Sequence, residues 1–380
     1  MKIRMIFKNR IAGVSFVVVT LSALGFGCGT SPEPRTVNPT HPVVAQVGTE
    51  VRALTNEEAN EICTSAYCEP NYLIHVAIPP GGSAPLHPVV IPTSETLDYS
   101  RARMNVSGAW ALTQGSHETI VAVIDTGVQL DHPDLKDSIW ADRDGSQGYD
   151  FSKNQPGGAD DQGHGTHCAG IIAAELNGIG IVGVAPRVRI MPLKFTGVGG
   201  SGDVATAISA IHYAVAHGAK VISNSWSGAE SRLLDQAVHD AVAKGVFFVI
   251  AAGNNNINLD ARPMFPPGMP DAIRVGSSGV EDVRSGYSNY GTKSVWVMAP
   301  GEKILSSYLG GAWTYLSGTS MATPQVSGAI ALALAVNPTL QPDEAKKALC
   351  ETADPALKSV SVCGRIDIGA FVRRVAGGSH

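Results

Sequence analysis

The chain has 380 residues, of which 44% are apolar and 16% charged, and carries a formal net charge of −5. That composition excludes a largely disordered chain and suffices for a large α/β core rich in small residues. There is no basic excess and no array of aromatic residues for base stacking, so no nucleic-acid partner is expected.

Lys2, Arg4, Lys8 and Arg10 precede an uncharged run from Ile11 to Gly27, which reads as an export signal over residues 1–28. The run falls just short of the ~20 residues a spanning helix needs. Cys28 follows Leu24-Gly25-Phe26-Gly27, which is similar to a bacterial lipoprotein cleavage site and implies membrane attachment through Cys28. An ordinary signal-peptidase cut after Gly27 is the alternative. Residues 29–94 are rich in Pro, Thr and Glu, with Pro79-Pro80-Gly81-Gly82-Ser83 as a linker, and form a separate region ahead of a domain at 95–380. Without Cys28 five cysteines remain, an odd number for an exported chain. Proximity pairs Cys63 with Cys68 and Cys350 with Cys363, against the alternative of free thiols, and leaves Cys168 over.

From Val106 onward strands and helices alternate, which predicts a parallel sheet covered by helices. The β-branched run Thr119–Ile124 is a buried strand that delivers Asp125 at its C-terminal end, where sites form in open α/β sheets. Gly163-His164-Gly165-Thr166-His167-Cys168-Ala169-Gly170 opens a helix with an imidazole at its start. His164, His167 and Cys168 share a helix face, but with no fourth ligand a buried thiol is the better reading than a metal cluster. A strand at Val188–Leu193, a helix at Asp203–His217 and a strand at Lys220–Ser223 follow. The strand Val246–Ala252 then runs into Gly253-Asn254-Asn255 and sets an amide at its end. Ile273–Val275 and Trp296–Met298 add further strands.

The stretch Gly318-Thr319-Ser320-Met321-Ala322-Thr323-Pro324 begins a helix predicted from Ser320 to Val336, with a second across Pro342–Leu349. Ser320 then stands among the unpaired N–H groups and the positive end of that helix, where developing negative charge is stabilised. Pro324 is expected in the first turn, where a missing N–H costs little. A lone serine here would be a helix cap. Asp125, His164 and Asn254, each at an element terminus, make it a candidate nucleophile.

These four segments closely resemble the subtilisin-like serine proteases across roughly residues 101–376. The order Asp, His, Ser is that of subtilisin and differs from chymotrypsin and the α/β-hydrolases. The resemblance implies a subtilisin-like doubly wound α/β fold, with a mostly parallel sheet and helices on both faces, and a serine endopeptidase acting through an acyl-enzyme on polypeptide substrates. Asp125 would orient His164, His164 would act as base and then acid, Ser320 would attack, and Asn254 with the Ser320 N–H would form the oxyanion hole. Gly199-Gly200-Ser201-Gly202 and Ser225-Trp226-Ser227-Gly228 match the two segments that pair with a substrate backbone, with Ala252 and Gly253 beside them. Trp226 stands where a smaller apolar residue is common and reads either as a pocket wall or as core.

The same resemblance implies a structural calcium ion held by Asp134, Asn177 and the carbonyls of Glu175, Ile179 and Ile181, and no catalytic cofactor. Asp150, Asp160 and Asp161 read as a second ion site or as solvated acids. Glu69-Pro70-Asn71-Tyr72-Leu73-Ile74-His75-Val76 resembles the last strand of an inhibitory propeptide, which makes residues 29–94 either a short propeptide, with the chain's own N-terminal region as inhibitor, or a plain tether. A catalytically silent scaffold and an esterase of another fold are the competing classes. The filled catalytic positions weigh against the first and the residue order against the second.

Overall fold

The computed structural model describes residues 36–76, 96–197, 199–228, 230–262 and 271–377. The export signal with Cys28 and the linker from Pro79 to Ser83 lie outside the described residues.

The N-terminal part is a small antiparallel sheet of β1 (Val43–Val47), β2 (Glu50–Leu54) and β3 (Tyr67–Pro70), in the order β2-β1-β3, with α1 (Asn56–Ile62) between β2 and β3. Thr55 and Glu58 start α1 with reciprocal side chain to backbone bonds. The Cys63–Cys68 disulfide ties the end of α1 to β3. Cys350–Cys363 is the second disulfide, and Cys168 is a free buried thiol. The single strand expected across Glu69–Val76 is two strands, because the chain bends at Asn71. That buried side chain donates to His41 O at 3.0 Å and accepts from Ala205 N at 3.1 Å, so β4 (Leu73–Val76) leaves the small sheet.

After the short helices α2 (Tyr99–Arg103) and α3 (Val106–Trp110) come β5 (Ile120–Asp125), β6 (Tyr149–Asp150), β7 (Gln155–Pro156), α4 (His164–Ala173), β8 (Arg189–Lys194), β9 (Ser201–Asp203) and α5 (Val204–Ala216). The chain continues through β10 (Val221–Asn224), β11 (Trp226–Ser227), α6 (Arg232–Ala243), β12 (Phe247–Ala251), β13 (Ile273–Ser278) and β14 (Val297–Pro300). A hairpin of β15 (Ile304–Tyr308) and β16 (Ala312–Leu316) leads into α7 (Thr319–Val336), followed by α8 (Pro342–Thr352) and α9 (Ile368–Ala376). Eight strands form one sheet in the order β14-β13-β12-β10-β5-β8-β6-β7, parallel throughout except for β7. Its central strands are apolar on both faces, as burial under helices on both sides demands. One core joins α4, α7 and α9 to the sheet; the other joins α5 and α6 and also takes in Val44 and Ile74 from the N-terminal part. The fold is the subtilisin-like α/β arrangement.

Predicted strands and helices recur within a few residues of their expected ends. The sequence reading assigned nothing to α6, although Leu233, Leu234, Ala237, Val238 and Ala241 form its buried stripe. One placement is corrected. Pro324 is the sixth residue of α7, not part of its first turn. Its missing N–H would have bonded the Ser320 carbonyl, which instead accepts from Ser225 Oγ at 2.9 Å and from the Cys168 thiol at 3.5 Å.

Candidate active site

The strand order reverses around β5, where the chain goes first to β8 on one side and then to β10 on the other. Such switch points open a crevice at the C-terminal ends of strands. Asp125 is the last residue of β5 and is fully buried. Its Oδ1 accepts from Thr126 N at 2.7 Å and from His164 Nδ1 at 2.8 Å. His164 begins α4 and is itself buried. Gly165, next to it, must be glycine, since a Cβ there would lie 2.1 Å from Gly127 O. Burial alone favours the neutral imidazole, but the facing Asp125 carboxylate outweighs it and holds His164 well above the ordinary value of 6.5.

The bond to Asp125 puts a proton on Nδ1 and leaves Nε2 as the basic nitrogen; Nε2 has no hydrogen-bond partner among the described residues. Ser320, second residue of α7, donates its hydroxyl to Ser225 O at 3.1 Å. Asn254, just beyond β12, accepts on Oδ1 from both Thr319 N at 2.9 Å and Thr319 Oγ1 at 3.0 Å. A backbone N–H can only donate, so this fixes the carboxamide orientation and makes Nδ2 the donor it offers.

The Asp125–His164 pair has a buried thiol as neighbour, from the helix face that Cys168 was expected to share with His164. Cys168 Sγ lies 3.9 Å from His164 Nδ1, and burial pushes the thiol's pKa up, keeping it protonated. His167 does not join it as a ligand. Its Nε2 faces the carbonyls of Ile304 at 3.1 Å and Thr314 at 3.2 Å, and burial lowers its pKa to about 3. It is a neutral strut between α4 and the β15–β16 hairpin.

The two expected groove walls flank β4. Ser201, Gly202 and Asp203 pair antiparallel with His75, Ile74 and Leu73, while Trp226 and Ser227 pair antiparallel with Val76 and His75. Val76 N also donates to Gly200 O at 3.1 Å. Gly200 has a left-handed φ of 70°, and Gly199 precedes it in the same turn. A Cβ on Gly202 would meet Phe195 at 2.6 Å. Trp226 proves to be core: it is fully buried, donates to Ile124 O at 2.9 Å and packs on Phe195 at 5.3 Å. Two further residues of the N-terminal part reach helix starts. Glu69 accepts from Ser231 Oγ, from Arg232 N at 3.1 Å and from Leu233 N at 3.4 Å at the start of α6, and Asn71 meets Ala205 N at the start of α5.

On the far side of α4, Asp134 is buried and its Oδ2 accepts from Ile181 N at 3.0 Å and from Trp313 Nε1 at 2.8 Å. Trp313 had no counterpart in the sequence reading. Asn177 Oδ1 accepts from Ile179 N at 3.2 Å, and Glu175 N donates to Asp134 O at 2.9 Å. The five expected ligands thus lie on two joined segments that offer only oxygen donors, the chemistry that suits a hard cation. The second ion site is not formed. Asp150 closes a turn through Ser152 N and Lys153 N, Asp160 caps the start of α4 through Gly163 N and Thr166 N, and Asp161 pairs with Lys194 at 2.7 Å. With their oxygens spent on turns and a lysine, these carboxylates do not converge.

Fold and site together are those of an α/β protein with an Asp–His pair and a helix-start serine at a sheet switch point. Residues 116–365 match the family model described as the Subtilase family. Over 291 residues the chain is 38% identical to the thermophilic serine proteinase of Bacillus sp. (strain AK1), covering 76% of this chain and 67% of that protein. It is 40% identical to thermitase of Thermoactinomyces vulgaris over 243 residues, or 63% and 83% of the two chains. It is 37% identical to subtilisin DY of Bacillus licheniformis over 235 residues, 61% and 82%. The chain belongs to the subtilase family and is a subtilisin-like serine protease.

Proposed function

We propose that Asp125, His164 and Ser320 are the triad of an exported endopeptidase made as a self-inhibited precursor. The observation that carries this reading is the 2.8 Å Asp125–His164 bond at the switch point of the sheet, in a member of this family. Ser320 Oγ attacks the scissile carbonyl while His164 Nε2 takes its proton; the hydroxyl must therefore exchange Ser225 O for Nε2. The negative oxygen is held by Asn254 Nδ2 and the Ser320 N–H. His164 returns its proton to the leaving amine, and water repeats the sequence on the acyl-enzyme. A fluorophosphonate should label the mature enzyme at one residue, and peptide mapping should find the adduct on Ser320. An adduct elsewhere would overturn the assignment.

Polypeptide substrates are taken to lie as a strand between β9 and β11, with Ala252 and Gly253 alongside. Support comes from β4, which fills that space as a middle strand, so residues 29–94 serve as propeptide and 95–380 as catalytic domain. The two helix starts reached by Glu69 and Asn71 add contacts that a plain tether would not need.

Calcium is the expected structural ion, with Asp134, Asn177 and the carbonyls of Glu175, Ile179 and Ile181 as its oxygens. It would supply charge to neutralise Asp134 and cross-link the two segments. At free calcium about 100 times Kd, binding adds about 2.7 kcal/mol to native stability. Excess EGTA should then lower Tm by ~5–10 °C at ~2–4 °C per kcal/mol, and Asp134→Asn should remove that response. An unchanged Tm in EGTA would refute calcium.

Export and lipidation rest on the sequence of residues 1–28. The precursor should partition with membranes, and Cys28→Ser should release it. Mass spectrometry of an inactive variant showing an unmodified N-terminus downstream of Cys28 would exclude the anchor.

A further inference from the structure

Among the side chains outside the triad, Asn289 makes an unusual set of bonds. It lies in the loop between β13 and β14 and is fully buried. Its Nδ2 donates to Ala252 O at 2.8 Å, and its backbone N donates to Gly253 O at 2.9 Å. Its Oδ1 accepts from Asn255 N at 3.1 Å and from Ile257 N at 2.9 Å. One residue thereby bonds both peptide groups that flank the Cα of Asn254, one through Gly253 O and the other through Asn255 N. The contact is close: a Cβ on Gly253 would lie 2.6 Å from Asn289 Nδ2, and Gly253 has a left-handed φ of 94°. The neighbouring bonds, Asn256 N to Tyr287 O at 2.8 Å and Tyr290 N to Ile257 O at 3.0 Å, extend the same seam.

Asn254 is also held from the opposite side, where Oδ1 meets Thr319, the residue before the candidate nucleophile. Thr319 sets the direction of the carboxamide, and its Oγ1 also accepts from Gly253 N at 3.2 Å, while Asn289 holds the chain at Ala252, Gly253, Asn255 and Ile257. A donor aimed at a developing oxyanion loses its effect when displaced by about an ångström.

We infer that Asn289 is a positioning residue for the oxyanion donor, locking residues 252–257 so that Asn254 Nδ2 stands at a fixed distance from the reacting carbonyl. This rests on the reading of Asn254 as the oxyanion donor. Asn289 touches no reacting atom, so its effect must pass through Asn254, and the two residues must behave as one unit in mutational cycles.

The test measures kcat and KM on a peptide anilide for the mature enzyme carrying Asn254→Ala, Asn289→Ala, Asn289→Asp and the two double substitutions. Asn289→Asp keeps the acceptor for Asn255 and Ile257 but turns a second oxygen toward Ala252 O and adds a buried negative charge; it serves if Asn289→Ala does not fold, because direct repulsion of the oxyanion would persist in the Asn254→Ala background whereas lost positioning would not. The single Asn289 variants are expected to lower kcat by about 10–100-fold with KM within about 3-fold. In the Asn254→Ala background the same changes should alter kcat by less than about 2-fold. Folded Asn289 variants with wild-type kcat, or losses that multiply in the double variants, would overturn the inference while leaving Asn254 in its role. An Asn254→Ala enzyme with undiminished kcat would overturn the oxyanion reading itself, and the positioning role with it.

Discussion

Replacing Ser320 by alanine should lower kcat about 10⁶-fold, the size of the loss that removal of the nucleophile causes in subtilisin. The effect on folding should be small. Ser320 is buried, but the bond its hydroxyl donates to Ser225 O is neutral, worth about 1 kcal/mol net. Proteolysis of casein and labelling by fluorophosphonate should both vanish while circular dichroism and Tm stay close to wild type. The same variant reads maturation: if the enzyme cuts its own linker between residues 78 and 94, Ser320→Ala should accumulate as the uncut precursor. Casein hydrolysis at the wild-type rate would remove Ser320 from the mechanism. A linker cut that persists in an otherwise inactive variant would assign maturation to another protease and leave the triad standing.

Asp125→Asn should also be severe, about 10⁴-fold in kcat, because an amide can hold the imidazole in the wrong tautomer and cannot stabilise the imidazolium. It should also move the pH profile. The Asp125 charge raises the His164 pKa above 6.5 against the effect of burial. The base is lost when His164 takes a proton, so wild-type kcat/KM should fall as pH drops through that raised value. Removing the charge leaves burial opposed only by the neighbouring Cys168, and the acid limb should shift to lower pH. Measured between about pH 5 and 9, an acid limb that stays in place in Asp125→Asn would mean that another group controls it.

The candidate catalytic residues were legible as candidates because each sits where an element ends, and element ends leave local marks. Asp125 closes a β-branched run, His164 and Ser320 open small-residue helices, and Asn254 follows an apolar strand and a glycine. The supporting residues had no such marks. Thr319 meets Asn254 across 65 positions, Ser225 meets Ser320 across 95 and Trp313 meets Asp134 across 179; pairings of that span are made by topology alone. The same cause explains the second ion site that did not form. Three nearby acids look alike in sequence, but whether a carboxylate faces an ion or its own turn depends on the local path of the backbone, and here Asp160 turns back on Gly163 and Thr166. Pro324 was misplaced by a turn because the Ser320 carbonyl, which an N–H at this position would have bonded, is claimed by Cys168 of α4 and by Ser225 between β10 and β11.

Ser225 is bonded to Ser320 in both directions, donating to its carbonyl and receiving its hydroxyl, and β11 begins one residue later. On the proposed groove, a peptide laid against Trp226 and Ser227 would be gauged against the proposed nucleophile by a single residue, with no loop between ruler and blade. Side-chain preference is then open to redesign in the flanking glycine turn or beneath Trp226, since such changes leave the gauge intact. Length changes are another matter: one residue inserted between Ser225 and Trp226 would slide every docked peptide by one register step, and the enzyme would hold its substrates as firmly as before while presenting the wrong bond.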